Sequence, residues 1–144
     1  MKVKIKEIEK LLNKVLKKNG VSAKDAKVIA SEYLEGELQG KSSHGLAAFV
    51  SIIPKLAVLK NKPKVLKKTH AMIFADARGN FGSLVGRQFS DEALKMAKKE
   101  GVAAVSIKNM KTWLRPGAIA QHVAEHDCVA IVINNGGRPM MAPP

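Results

Sequence analysis

Hydrophobic positions between residues 4 and 18 fall at Ile5, Ile8, Leu11, Leu12, Val15 and Leu16. That spacing keeps them on one face of a 3.6-residue period and predicts an amphipathic helix. "KKNG" closes it, with Gly20 suited to a left-handed cap. "SAKDA" then offers Ser22 as N-cap, with Asp25 as a carboxylate in the first turn. The second helix is expected to run to about Gln39, with Ala26, Ile29, Ala30, Tyr33, Leu34 and Leu38 on one face, and Gly40 closes it. Ser42 or Ser43 can cap a third helix, "HGLAAFVSIIPKLAVLK", which Pro54 must kink or break. "NKPKVLKKTH" reads as a polar connector.

After the connector the pattern alternates. "AMIFADA" reads as a strand, "RGNFGS" as a glycine-bearing turn and "LVGRQFSDEALKMAKKEG" as an amphipathic helix closed by Gly101. "VAAVSIKN" is a second strand. "WLRPGAIAQHVAEHD" is a turn and a helix, with Pro116 near its first position. "CVAIVINN" is a third strand, apolar on both faces as in a buried sheet. The order predicts an α/β protein: an N-terminal helical segment, residues 1–68, and a βαβαβ unit with crossovers, residues 69–144. A Gly/Pro-rich loop, "GGRPMMAPP", follows the last expected strand. Either this tail packs elsewhere or the chain is part of something longer.

Composition narrows the class. Hydrophobic residues make up 46% of the chain and aromatics only 4%, so the core must be mainly aliphatic. No run approaches the ~18 apolar residues of a membrane span. The charged N-terminus does not suit a secretory signal. A lone Cys128 in an expected buried strand is read as an inert thiol, and a cytoplasmic protein is expected. The net charge of +13 raises the question of nucleic acid. The bases are nearly all lysine, spread over helix faces; only Arg78, Arg87, Arg115 and Arg138 are arginine. Such a surface points to solvation or to an anionic small molecule more than to nucleic acid.

Three stretches carry candidate chemistry. In "GKSSHG", His44 follows the second helix, where the chain is narrow. An imidazole's ordinary pKa near ~6.5 suits proton exchange at neutral pH. Ser43 could orient the ring, and Gly45 would admit a substrate; the plainer reading is a loop with a surface histidine. In "NMKTWLRPG", Arg115 sits in a rigid loop after a strand and suits a carboxylate, while Trp113 could equally pack on the core. In "NNGGRPMMAPP", glycines could admit a dinucleotide and methionines face a nicotinamide ring; a polar loop is the alternative. No Gly-x-Gly-x-x-Gly follows the first strand, so the Rossmann fingerprint is absent. His122 and His126 have helical metal-pair spacing but no evident third ligand, and no metal is expected. His70 lies in the connector and is expected at the surface. No paired carboxylate site is evident.

Taken in order, the two opening helices, "GKSSHG", "FADARGNFG", "GVAAVSIKN" and "MMAPP" resemble the N-terminal portion of the malate/L-lactate dehydrogenase family, which is distinct from the Rossmann lactate dehydrogenases. "TWLRPG" is most similar to the diketogulonate reductase branch of that family. The resemblance implies an NAD- or NADP-dependent oxidoreductase that moves a hydride between nicotinamide and a 2-keto or 2-hydroxy acid. It implies a cofactor fold of the family's own, beginning within residues 69–144, and a homodimer. By the same resemblance His44 is the proton donor or acceptor. Ser43, Thr112 and Arg115 face the substrate, and His44, Asn135, Met141 and Pro143 face the cofactor. Two positions depart from the family pattern: Ala48 stands where an arginine is common, and Thr112 where a histidine is common. Family chains are also more than twice this length, so a second polypeptide or a further C-terminal part is implied. The competing expectations are a non-catalytic, partner-dependent binding module of the same descent and a basic nucleic-acid-binding domain.

Overall fold

The structure is a computed structural model, and it describes residues 3–135. Helix α1 spans Ile5–Lys18 and α2 spans Ala23–Leu38. Leu12 and Leu16 of α1 are buried against Ala26, Ile29, Ala30, Tyr33 and Leu34 of α2. The turn between them is built as the sequence predicts. Gly20 has φ +79°, the Asp25 N–H donates to Ser22 Oγ at 3.1 Å, and the Ser22 hydroxyl donates to Asp25 Oδ2 at 2.8 Å. At the other end of α2, Gly40 is left-handed at φ +71°. The N–H of Lys41 reaches back to the carbonyl of Gly36 at 2.8 Å and satisfies one of the helix's last acceptors.

The third helix breaks as Pro54 requires. A 3-10 turn, Ser42–His44, leads into a short α3, Leu46–Val50. A 3-10 segment, Ile53–Lys60, then departs at 86° with Pro54 in its first turn. Phe49, Ile52 and Leu56 complete the helical core, and Phe49 meets Tyr33 edge-on at 5.5 Å. Among the described residues no single helix is long and apolar enough to cross a membrane.

The α/β half is a three-stranded sheet of order β1-β2-β3. Strand β2, Met72–Asp76, pairs in parallel with β3, Ala104–Lys108, in register from Met72↔Ala104 to Asp76↔Lys108. The crossover is α4, Gly82–Glu100, which ends at Gly101 with φ +84°. Val85 and Phe89 of α4 pack on Ile73, Ala75 and Ala77 in a second apolar cluster. Helix α5, Pro116–Ala124, follows β3 and begins at Pro116 as expected.

Two sequence expectations are corrected here. The polar connector contains a strand: β1, Lys64–Lys68, pairs antiparallel with β2 through a register shift between Val65 and Lys67. Its five residues are all exposed, so no apolar alternation marks it; cross-strand hydrogen bonds alone define it. Conversely, "CVAIVINN" forms no strand ladder. Among the described residues 128–135 have no strand partner, and Cys128 is half-buried rather than sealed inside a sheet. The physical reason is on the molecule. A strand apolar on both faces needs cover on both, and among the described residues only one side of this run meets protein.

Candidate active site

The candidate site grows from α2. Glu32, Glu35, Gly36 and Gln39 are spaced three, one and three along the helix, and so share one stripe. That stripe runs alongside the core residues Ile29 and Tyr33, with Glu32 and Gly36 themselves buried, and it receives two loops. The loop of Ser42–His44 lies on Gly36, where an added Cβ would overlap the carbonyl of His44. Gly45 makes the reciprocal contact: a Cβ there would overlap the Glu37 side chain and come within 3.1 Å of its backbone. The Leu46 N–H donates to Glu37 Oε2 at 2.8 Å, which caps α3. Gly45 is therefore required by the backbone's approach to α2.

His44 is half-buried and lines an open groove of about 1880 Å³. Its Nδ1 lies 2.8 Å from Ser43 Oγ. That pairing occupies one ring nitrogen and leaves Nε2 for an exchangeable proton. Gln39, Lys41, Thr112, Arg115 and Asn135 also line the groove.

The loop after β3 supplies the second wall. Its backbone folds back on α4: Gly82 donates its N–H to the Thr112 carbonyl at 2.9 Å. A Cβ at Gly82 would meet Trp113 Cα at 2.9 Å, and one at Gly86 would meet Trp113 Nε1 at 2.8 Å. Two glycines one helical turn apart thus make a flat seat for the tryptophan. Trp113 packs on the fold, and its indole N–H is buried without a partner among the described residues. Leu114 takes φ +64°, a conformation a leucine rarely adopts. Thr112 is exposed, with Oγ1 accepting from the Leu114 N–H at 3.2 Å.

Arg115 is held by the α2 stripe. Its guanidinium donates to Gln39 Oε1 at 2.8 Å, Glu35 Oε2 at 3.1 Å and Glu32 Oε2 at 3.5 Å, and its side chain is only 10% exposed. Its Nε is buried and has no partner among the described residues. Burial pushes the Glu32 carboxyl above the usual carboxylate range, and the nearby Arg115 charge opposes that shift. Glu32 and Glu35 were not singled out in the sequence, where no paired carboxylate site is evident; their helical spacing with Gln39 was the available signal.

A model of the malate/L-lactate dehydrogenase family matches residues 3–144. The chain belongs to the malate/L-lactate dehydrogenase family. It is 34% identical over 139 residues to L-sulfolactate dehydrogenase of Methanocaldococcus jannaschii, covering 94% of this chain and 40% of that protein. It is 28% identical to 2,3-diketo-L-gulonate reductase of Klebsiella pneumoniae, covering 94% of this chain and 42% of that one. The solved sulfolactate dehydrogenase of M. jannaschii superposes with a TM-score of 0.79 at 31% identity, over 88% of this chain and 38% of its own. A malate dehydrogenase from Pyrococcus horikoshii OT3 superposes with a TM-score of 0.81 at 25% identity, over 87% and 37%. The chain thus spans about two fifths of the length of the curated relatives it matches.

In this family member, His44, Ser43, Thr112, Arg115 and Asn135 lie within the described residues, and all except Ser43 line the groove. Met141 and Pro143 lie outside the described residues. A nicotinamide dinucleotide is anionic at its pyrophosphate, and Lys41, Lys108 and Lys111 along the same groove suit that charge. The groove is about twice the upper end of the ~300–1,000 Å³ expected of a small-molecule site, and it runs along β3, whose outer edge has no strand partner among the described residues. His122, considered above beside His126, is buried in α5 with Nε2 2.6 Å from Asp91 Oδ1, and it ties α5 to α4. Among the described residues no group of three metal-ligating side chains comes together.

Proposed function

We propose that this chain carries the proton-transfer half of an oxidoreductase acting on a small 2-keto or 2-hydroxy acid. The supporting observation is the placement of His44: backed onto Gly36, oriented through Nδ1 by Ser43, and presented to a lysine-lined groove. An NAD or NADP cofactor, when bound, supplies or accepts the hydride. Reduction of a keto carbon leaves negative charge on its oxygen, and His44 Nε2 donates the proton that neutralises it; oxidation runs the same transfer in reverse. Thr112 offers a hydroxyl to the substrate at the exposed side of its loop. Lys41, Lys108 and Lys111 attract its carboxylate and the cofactor's phosphates. Arg115 serves the substrate through the shape of its loop and through whichever N–H groups Glu32, Glu35 and Gln39 leave unused. A homodimer in the cytoplasm, residues 1–68 as the histidine-bearing segment and residues 69–144 as the start of the cofactor domain belong to the same reading.

A second reading has one observation in its favour. Arg115 is committed to three acceptors of its own chain, which fits a module that binds without turning over, as do Ala48 and Thr112 if they stand, as the resemblance implies, where an arginine and a histidine are common.

The test is reduction of a panel of 2-keto acids with NADH and NADPH, using this chain together with the remaining family sequence. His44→Gln should lower kcat by about 100-fold or more with little change in folding, the usual size of a general acid's contribution. Equal turnover with and without the imidazole would refute the assignment of His44. No turnover with either cofactor would favour the binding module.

A further inference from the structure

A 2-keto acid brings a carbonyl and a carboxylate into the groove, and His44 accounts for the first. The carboxylate is bonded directly to the keto carbon, so the cation that holds it must stand beside His44. Among the described residues five lysine and arginine side chains line the groove: Lys41, Lys98, Lys108, Lys111 and Arg115. Four of them are placed for other tasks. Arg115 donates to Gln39, Glu35 and Glu32, and its side chain is only 10% exposed. Lys98 lies in the last turn of α4, about 18 Å along that helix from Gly86 and the Trp113 it seats. Lys108 holds its Nζ over the Phe74 ring, 5.6 Å from the centroid. Lys111 lies along the turn between β2 and α4. Its N–H donates to the Asn80 carbonyl at 2.9 Å, and its Cε would be 3.9 Å from a Cβ at Gly79.

Lys41 differs from these in position and in partners. The His44 N–H donates to the Lys41 carbonyl at 2.7 Å, the three-residue hydrogen bond of a 3-10 turn. Such a turn brings side chains three residues apart to the same side. Both side chains line the groove, and Lys41 forms no ion pair among the described residues. We propose that Lys41 anchors the substrate carboxylate while His44 exchanges the proton at the adjacent carbonyl. This assignment rests on the proton-transfer reading of His44, and it leaves Lys108 and Lys111 to the cofactor's phosphates. An ammonium on a flexible stem is a point charge without the planar fork of a guanidinium. It therefore selects for charge more than for shape: a 2-keto acid is preferred over its ester, with broad tolerance of the group beyond the keto carbon.

The probe is oxamate, a carboxylate beside an amide carbonyl, with methyl oxamate as its uncharged counterpart. Each is titrated into this chain, with and without NADH, and the His44 ring signals are followed by NMR. Oxamate should shift them. Methyl oxamate should bind at least about 10-fold more weakly, the loss of one hydrogen bond to a charged group. Lys41 is exposed, so Lys41→Gln should fold as the parent does. It should weaken oxamate by the same factor and leave methyl oxamate as it was, and Lys41→Arg should restore most of the loss. In the turnover assay Lys41→Gln should raise KM for the keto acid with a much smaller change in kcat. His44→Gln separates the two readings: it should lower kcat yet still bind oxamate, followed there through the Lys41 amide. Turnover that survives His44→Gln, with oxamate binding still lost in Lys41→Gln, would refute the proton role and keep the anchor. The anchor is overturned if oxamate leaves the His44 signals unmoved with and without NADH. It is equally overturned if oxamate binds Lys41→Gln as tightly as the parent, or if methyl oxamate matches oxamate.

Discussion

Gly36 of α2 packs directly against the carbonyl oxygen of His44. The candidate proton donor is therefore positioned through its backbone, by a helix residue with no side chain. The same helix holds Arg115 one turn to either side, through Glu32, Glu35 and Gln39. One rigid element thus sets both walls of the groove.

Gly36→Ala separates this close contact from helix propensity. Alanine is the better helix former by about 1 kcal/mol. Overlap with a main-chain oxygen cannot be relieved by rotating a side chain, so the loop of Ser42–His44 must move. The expected result is a net loss of about 2 kcal/mol, within the range of overpacking, and faster amide exchange at His44 to Leu46. A rise in melting temperature would mean that the loop is free to shift and that Gly36 does not position it.

Removing Arg115 leaves Glu32 buried beside Glu35 with no cation. Arg115→Ala should cost about 3 kcal/mol, as when one partner of a buried pair is deleted. Arg115→Lys should recover little, since one ammonium cannot reach three acceptors in the guanidinium's plane. Adding Glu32→Gln to Arg115→Ala should restore part of the loss, because the uncompensated charge goes with it. Urea unfolding of the parent, Arg115→Ala, Glu32→Gln and the double variant measures this directly, and strictly additive losses would show that the pair is uncoupled.

Burial pushes the Tyr33 phenol up to about 12. The folded state keeps its proton while the unfolded chain gives it up near ~10, so folding stability holds below pH 10 and falls as pH rises toward 12. Tyr33→Phe should remove that part of the alkaline loss, at most about 2–3 kcal/mol for a shift of this size. Melting curves of the two proteins at pH 9 and pH 11.5, compared as differences so that the lysines cancel, should diverge only at the higher pH. Parallel losses would place the phenol in contact with water.

The Asp76 carboxylate accepts from the Arg78 N–H at 2.8 Å and from both Asn109 contacts at 3.1 Å. The Arg78 backbone hydrogen bond, with help from Asn109, holds its pKa below the usual carboxylate value. Its stabilising contribution is present above that ordinary value, near ~4, and is lost as pH falls through the lowered one. Asp76→Asn should therefore melt lower than the parent at neutral pH, with the gap closing under acid. A gap that stays constant from pH 7 to pH 2.5 would remove the carboxylate's charge from the explanation.

The helical half was legible because each signal was local. Ser22, Gly20, Gly40 and Pro54 act on their own neighbours, and the apolar spacing in α1 and α2 needs no knowledge of the rest. The parallel pair β2–β3 was legible from apolar runs flanking an amphipathic helix. β1 was hidden because "KVLKK" owes its strand to Met72–Asp76 alongside it and to nothing in its own composition. The last expected strand failed for the converse reason: composition predicts a buried position, and burial is a property of neighbours. At the site, "SHG" and "TWLRPG" mark the two loops, but which helix they rest on is tertiary information. So nothing local singled out Glu32 and Glu35, and Trp113 could be read equally as part of the site loop or as packing on the core.

The lysines of β1 have a further consequence for assembly. An exposed margin bearing Lys64, Lys67 and Lys68 meets its own image in a second copy as like charge against like charge, so this border of the sheet does not serve as a template for extension from copy to copy.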